Sequence, residues 1–110
     1  MSRRDQLPFL GEIRAFSGDI PADGWLPCDG RKLERTKFRA LEALLNDRFG
    51  GDQKHFNLPD LRGRVIAGTD PSKQRPVGAT SGADGEREKA IPYAVVNWAI
   101  CTEGIFPQED

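Results

Sequence analysis

A small, irregular α+β fold is what this 110-residue sequence predicts, with short strands, one principal helix and a buried C-terminal strand. Three observations carry that expectation. Apolar residues recur at helical spacing only after Thr36, at Phe38, Leu41, Leu44 and Leu45. The β-prone pieces before and after that stretch are cut short by Pro and Gly. Finally, Tyr93-Ala94-Val95-Val96-Asn97-Trp98-Ala99-Ile100-Cys101 has the β-branched and aromatic content of a strand buried on both faces.

Residues 9–16 predict a first strand, with Leu10, Glu12, Arg14 and Phe16 on one face and Phe9, Ile13 and Ala15 on the other. Ser17-Gly18-Asp19 and Pro21-Ala22-Asp23-Gly24 are turn signals. Trp25-Leu26-Pro27-Cys28 is a short extended piece, confined to an edge because Pro27 has no N–H to donate to a ladder. Asp29-Gly30 is a hairpin-type dipeptide, so Arg31-Lys32-Leu33 is expected to turn back from Cys28. Trp25 reads most simply as a core anchor whose indole N–H finds a carbonyl; stacking on a ligand is the sharper alternative.

Thr36 is the expected N-cap of the helix, whose polar face carries Arg39, Glu42, Asn46 and Asp47. Arg39 stands where a capping box would place an acid. The helix is expected to fray near Asn46-Asp47-Arg48 and to stop by Gly50-Gly51, which supply a left-handed conformation, with Phe49 packing back onto it. Because these glycines follow the helix, they do not make a phosphate-binding loop.

The stretch Phe56-Asn57-Leu58-Pro59-Asp60-Leu61-Arg62-Gly63-Arg64 fits neither a helical nor a strand period. Pro59 fixes its own φ and holds Leu58 extended. Asp60 is placed to accept from backbone N–H groups just downstream, and Gly63 allows a turn between Arg62 and Arg64. The stretch reads as an architectural corner leading into a short strand over residues 64–67. Residues 69–90 carry one Val and no larger apolar side chain, so burial cannot offset their ordering entropy. They predict a long exposed loop of the kind that partners order, with Arg75, Gly82, Asp84, Glu86 and Arg87 as candidate partner contacts. Taken alone, Glu86-Arg87-Glu88-Lys89 reads as a solvated charge cluster. In the final strand Asn97 needs hydrogen-bond partners, expected in the irregular backbone from Asp60 to Gly63. Residues 9–107 thus form one domain behind an N-terminal extension of residues 1–8.

Composition narrows the function classes. At 37% hydrophobic and 30% charged the chain is globular on average. A formal charge of -1, with both signs interleaved, leaves no electrostatic footprint for nucleic acid or an anionic membrane. No apolar run approaches spanning length, and the first residues do not read as a signal peptide, so the expected place of synthesis is the cytosol. Cys28 and Cys101 read as small buried hydrophobes in a reducing compartment, although arithmetic alone also permits a disulfide. His55, the single histidine, has no ligand partner at metal-binding spacing.

Nucleophilic catalysis needs a base beside Ser, Cys or Thr, and none is visible. Asp29 and Asp60 are conceivable as paired carboxylates, and with Trp25 they would make a carbohydrate-binding or glycan-cleaving module. Both aspartates nevertheless occupy positions where Asp serves as a backbone acceptor. The sequence therefore assigns no catalytic residue, no cofactor and no metal.

Several motifs, in matching order, resemble one family. They are Gly11-Glu12-Ile13-Arg14-Ala15-Phe16, Gly24-Trp25-Leu26-Pro27-Cys28-Asp29-Gly30, the helix with Leu41-Glu42-Ala43-Leu44-Leu45, Phe49-Gly50-Gly51-Asp52, the corner from Phe56 to Arg64, and residues 92–100 with Glu103-Gly104-Ile105-Phe106-Pro107. Together they resemble the phage tail collar domain family, which includes short tail fibres and the microcystin-dependent proteins. The resemblance implies a non-enzymatic component of a phage tail or a contractile injection particle, placed in a fibre or near a baseplate. It also implies a collar-type domain, association into a homotrimer, contacts with other tail proteins, and delivery from the bacterial cytoplasm into a virion tail or tail-like particle. On that reading Gly24, Trp25, Cys28, Asp29, Gly30, Leu58, Pro59, Asp60, Arg62, Gly63, Arg64 and Asn97 are structural motif residues. Longer relatives carry a receptor-reading insertion with His-x-His elements after the corner. Here residues 69–90 stand in that place without a histidine, so metal-dependent receptor binding is not carried over.

Overall fold

The computed structural model describes residues 7–80 and 92–108. In chain order its elements are β1 (Ile13–Phe16), β2 (Trp25–Pro27), β3 (Lys32–Glu34), α1 (Arg39–Leu45), β4 (His55–Asn57) and β5 (Asn97–Cys101), with a 3₁₀ turn at Pro71–Lys73 before β5. The architecture is α+β: an antiparallel sheet in the order β1-β5-β2 and a second, two-stranded sheet of β3 and β4. The last strand thus enters between the first two. Its register places Ile100 opposite both Ile13 and Leu26, and Ala99 opposite both Arg14 and Pro27. Pro27 is tolerated because β2 is an edge strand, where no second neighbour needs its missing N–H.

Period-2 alternation sends Ile100, Leu26 and Trp98 to one face of this sheet, towards the core. There they meet Leu41 and Leu45 of α1, Leu33 of β3, Phe56 of β4, and Leu10, Cys28 and Leu58 from the connections. Phe56 and Ile100 are fully buried, and each such side chain contributes about 1.5–3 kcal/mol. Seven residues of helix would be marginal alone, so α1 owes its persistence to Leu41 and Leu45 in this core.

Several local expectations are corrected. The first strand is Ile13–Phe16 only; a turn closed by Glu12 N–H to Phe9 O (3.0 Å) precedes it and rotates Leu10 into the core. Arg31-Lys32-Leu33 does not fold back on β2. Lys32–Glu34 pairs with His55–Asn57 instead, and β2 takes its one partner from β5. Phe38, not Thr36, is the N-cap; it makes no side-chain cap, and Lys37 and Phe38 N–H first close a turn on Glu34 O. Asn46, at φ 50, ends the helix. Gly50 and Gly51 run alongside β4, where Asn57 N–H donates to Gly50 O and a Cβ on Gly51 would sit 2.6 Å from His55 O.

Residues 64–67 form no strand, and Val65 and Ile66 are 65% and 53% exposed. The final strand begins at Asn97, leaving Tyr93, Val95 and Val96 exposed; its buried part is Ala99, Ile100 and Cys101, each at 0%. Asn97 itself is exposed, and its Nδ2 donates to Gly18 O at 2.6 Å, not to the backbone from Asp60 to Gly63. The reason is register: Asn97 pairs with Phe16 and so lies beside the turn that follows β1.

Candidate functional site

The candidate site is where the piece after β2 meets the corner after β4. Asp29 and Asp60 form an antiparallel bridge, closed by Gly30 N–H to Pro59 O (3.1 Å) and Leu61 N–H to Cys28 O (2.9 Å). In this pattern the two residues are a non-hydrogen-bonded pair, with Cα atoms about 4.5 Å apart. Leu58 N–H donates to Arg31 O (3.0 Å) and extends the contact by one rung. Leu58 and Pro59 are buried, so the bridge is anchored from below by the core. Gly30 has φ +76, and a Cβ there would lie 3.0 Å from Asp60 Cβ and 3.3 Å from its Cγ. The positive φ and the closeness of the Asp60 side chain both favour glycine here.

Each aspartate is then clasped by the arginine two residues on. Asp29 Oδ1 accepts from Arg31 N–H (3.2 Å) and Nε (3.0 Å), and its Oδ2 from Arg31 Nη2 (2.8 Å). Asp60 repeats the arrangement, with Oδ1 accepting from Arg62 N–H (3.3 Å) and Nε (2.9 Å), and Oδ2 from Arg62 Nη2 (2.9 Å). Gly63 lies in the turn that follows, and Arg64 returns to donate Nη1 to Asp60 O at 2.6 Å. Two adjacent carboxylates sharing one proton would raise a pKa. Here each has its own guanidinium. The Arg62 hydrogen bonds hold the Asp60 carboxyl down to about 2, and the Arg31 hydrogen bonds hold Asp29 below the usual carboxylate range. Groups so depressed are ionised at neutral pH and have no proton to give as a general acid. Their chemistry is that of hydrogen-bond acceptors that hold each turn in shape, while the main-chain bonds of the bridge join the two segments.

The remaining motif residues surround this clasp. Cys28 is buried, its N–H donates to Trp98 O (2.9 Å), and burial pushes its thiol up to about 12. Gly24 O accepts from Thr102 N–H (2.8 Å) beyond the other end of β5. Trp25 is half-buried but on the sheet face away from the main core. There Phe16 meets it edge-on at 5.3 Å between centroids, and the Arg14 guanidinium lies 5.2 Å from its ring. Arg14 is also paired to Glu12. A sugar stacking on Trp25 would therefore have to compete with Arg14.

Of the candidate contacts, Arg75 joins a turn in which its N–H donates to Asp70 O (3.0 Å); Gly82, Asp84, Glu86 and Arg87 lie outside the described residues. Arg31 and Arg35 were missed from the sequence. The repeated Asp-x-Arg spacing, Asp29-Gly30-Arg31 and Asp60-Leu61-Arg62, was the available signal for the first. Arg35 ties Glu42 (3.2 Å) and Asp47 of the α1 region to Asp52 O (2.7 Å), a role no local spacing announces.

Among the described residues, no helix is long and apolar enough to cross a membrane. Compared with known proteins, the chain is similar to the short tail fiber protein gp12 of Enterobacteria phage T4, at 28% identity over 61 residues. That match takes in 54% of this chain and 12% of the fibre protein, so the chain spans a small part of its relative. The clasp, both sheets except β5, and the helix all fall within residues 11–66, and over those residues the chain matches, and belongs to, the Phage Tail Collar Domain family.

Proposed function

We propose that this chain is a structural, non-catalytic component of a phage tail or of a phage-tail-like contractile injection particle. In this reading it sits in a fibre or beside a baseplate, assembles as a homotrimer, and contacts other tail proteins through residues 69–90. One observation carries the non-catalytic part: the two carboxylates that could have done chemistry are each held by the arginine two residues on, beside a main-chain bridge that joins their two segments. The collar family match and the likeness to a short tail fibre protein supply the setting.

The test is to purify particles from the source cell and probe them for this chain by mass spectrometry and electron microscopy. The expected result is co-sedimentation with tails at a stoichiometry divisible by three. A chain found only in the particle-free fraction would count against the assignment.

A further inference from the structure

An Asp-Gly dipeptide stands at either end of β2, Asp23-Gly24 ahead of it and Asp29-Gly30 behind it. Such a pair is open to reaction with itself. The glycine amide nitrogen, unhindered by a Cβ, attacks the aspartate Cγ. Its proton and the carboxyl hydroxyl leave together as water, and a five-membered imide remains. Water then adds to the ring. When it breaks the bond between the aspartate main-chain carbonyl carbon and the glycine nitrogen, the chain afterwards runs through Cβ and Cγ as isoaspartate. Water is the only species released and the only one taken up, so no further reactant is required.

The fold treats the two pairs differently. At Asp29-Gly30 both reacting groups are engaged. Arg31 donates Nε (3.0 Å) and Nη2 (2.8 Å) to the carboxylate, and Gly30 N–H is given across the bridge to Pro59 O (3.1 Å). Imide formation also needs a protonated carboxyl, since a carboxylate has no hydroxyl to release, and the Arg31 hydrogen bonds keep Asp29 ionised. Asp23 is exposed in the bend that leads into β2. Among the described residues no side chain holds its carboxylate and no carbonyl accepts Gly24 N–H. We propose that Asp23 is a modification site, converting spontaneously to isoaspartate in the folded chain, and that Arg31 and the bridge protect Asp29-Gly30 from the same change. The product has a structural consequence. The carbon inserted into the main chain lies directly ahead of Gly24, whose carbonyl accepts Thr102 N–H at 2.8 Å, and of Trp25, which pairs with Cys101. This end of the β2–β5 ladder is therefore the part that modification loosens first.

The experiment ages the full chain at physiological temperature and pH, folded in buffer and unfolded in guanidinium chloride. Each sample is then digested with a protease that cuts ahead of aspartate but not ahead of isoaspartate, and the peptides are mapped by mass spectrometry. Isoaspartate at position 23 leaves residues 19–28 as one peptide, and at position 29 it leaves residues 23–46. Asp84-Gly85, outside the described residues, falls in a separate peptide. In the unfolded chain both positions are expected to react at like rates. In the folded chain Asp23 keeps its rate, while Asp29 slows by roughly tenfold or more, the factor carried by one hydrogen bond to a charged group. Amide exchange at Thr102 speeds up in the aged fraction. Asp23→Glu, whose imide would need a six-membered ring, abolishes both the fused peptide and the faster exchange. An Asp23 that folding slows as much as Asp29, or an Asp29 that reacts as fast folded as unfolded, overturns the proposal.

Discussion

Replacing Asp60 with alanine removes one half of the paired clasp and leaves the core untouched. Its carboxyl is held at about 2 against a reference of 3.8, which sets a ceiling of roughly 2.5 kcal/mol on what ionisation contributes to folding. The side chain is 35% exposed and its main partner Arg62 72%, so solvent screening lowers this to about 1 kcal/mol. For a domain of this size that is a fall of roughly 5 °C in Tm at neutral pH. The sign with pH follows from the depressed value. The stabilisation is complete above the unfolded-state pKa and disappears as pH falls through about 2. Denaturant unfolding of wild type and Asp60→Ala should therefore differ at pH 7 and converge from about pH 5 towards pH 2. A variant as stable as wild type at neutral pH, or a deficit that does not change with acid, would refute the clasp as a structural device.

Gly30→Ala should cost about 2 kcal/mol, from its φ of +76 and the 3.0 Å approach to Asp60 Cβ; an unchanged denaturation midpoint would mean the bridge is loose. Arg35→Ala should lower the denaturation midpoint and speed amide exchange at Lys54 and His55, since its guanidinium ties Asp52 O to the helix region. Phe56→Ala, emptying a fully buried site, should cost about 3–5 kcal/mol, read by thermal unfolding. The thiols of Cys28 and Cys101 should react with an aromatic disulfide reagent only as fast as the protein unfolds, because both are buried and Cys28 is pushed up to about 12; prompt reaction at mildly alkaline pH would contradict the burial.

What was legible in the sequence was local. Leu41 and Leu45 announced the helix, and Pro59-Asp60 announced a corner, because each depends on neighbours within a few residues. The partnerships of strands were not legible. Asp29-Gly30 has the chemistry of a hairpin turn, yet Trp25–Pro27 pairs with a strand that arrives some seventy residues later, and Lys32–Glu34 with a strand beyond the helix. That long-range choice also decided Asn97, which went to Gly18 O. Val65, Ile66 and Val95 misled in another way. Their composition is that of strands, but a strand needs a partner, and within one chain none is provided among the described residues. At the clasp the aspartates were legible as acceptors and Arg62 and Arg64 as motif residues; Arg31 was not read, although the repeated Asp-x-Arg spacing announced it.

The paired carboxylates can be followed directly by the carbon resonances of Asp29 and Asp60 through a pH titration of the folded chain. With both aspartates held as ionised acceptors, Asp60 titrates near 2 and Asp29 below the ordinary range, with no proton taken up by either around neutrality. A carboxyl of the pair that still carries its proton at neutral pH would mean the site is built for acid–base chemistry and not for holding the domain together.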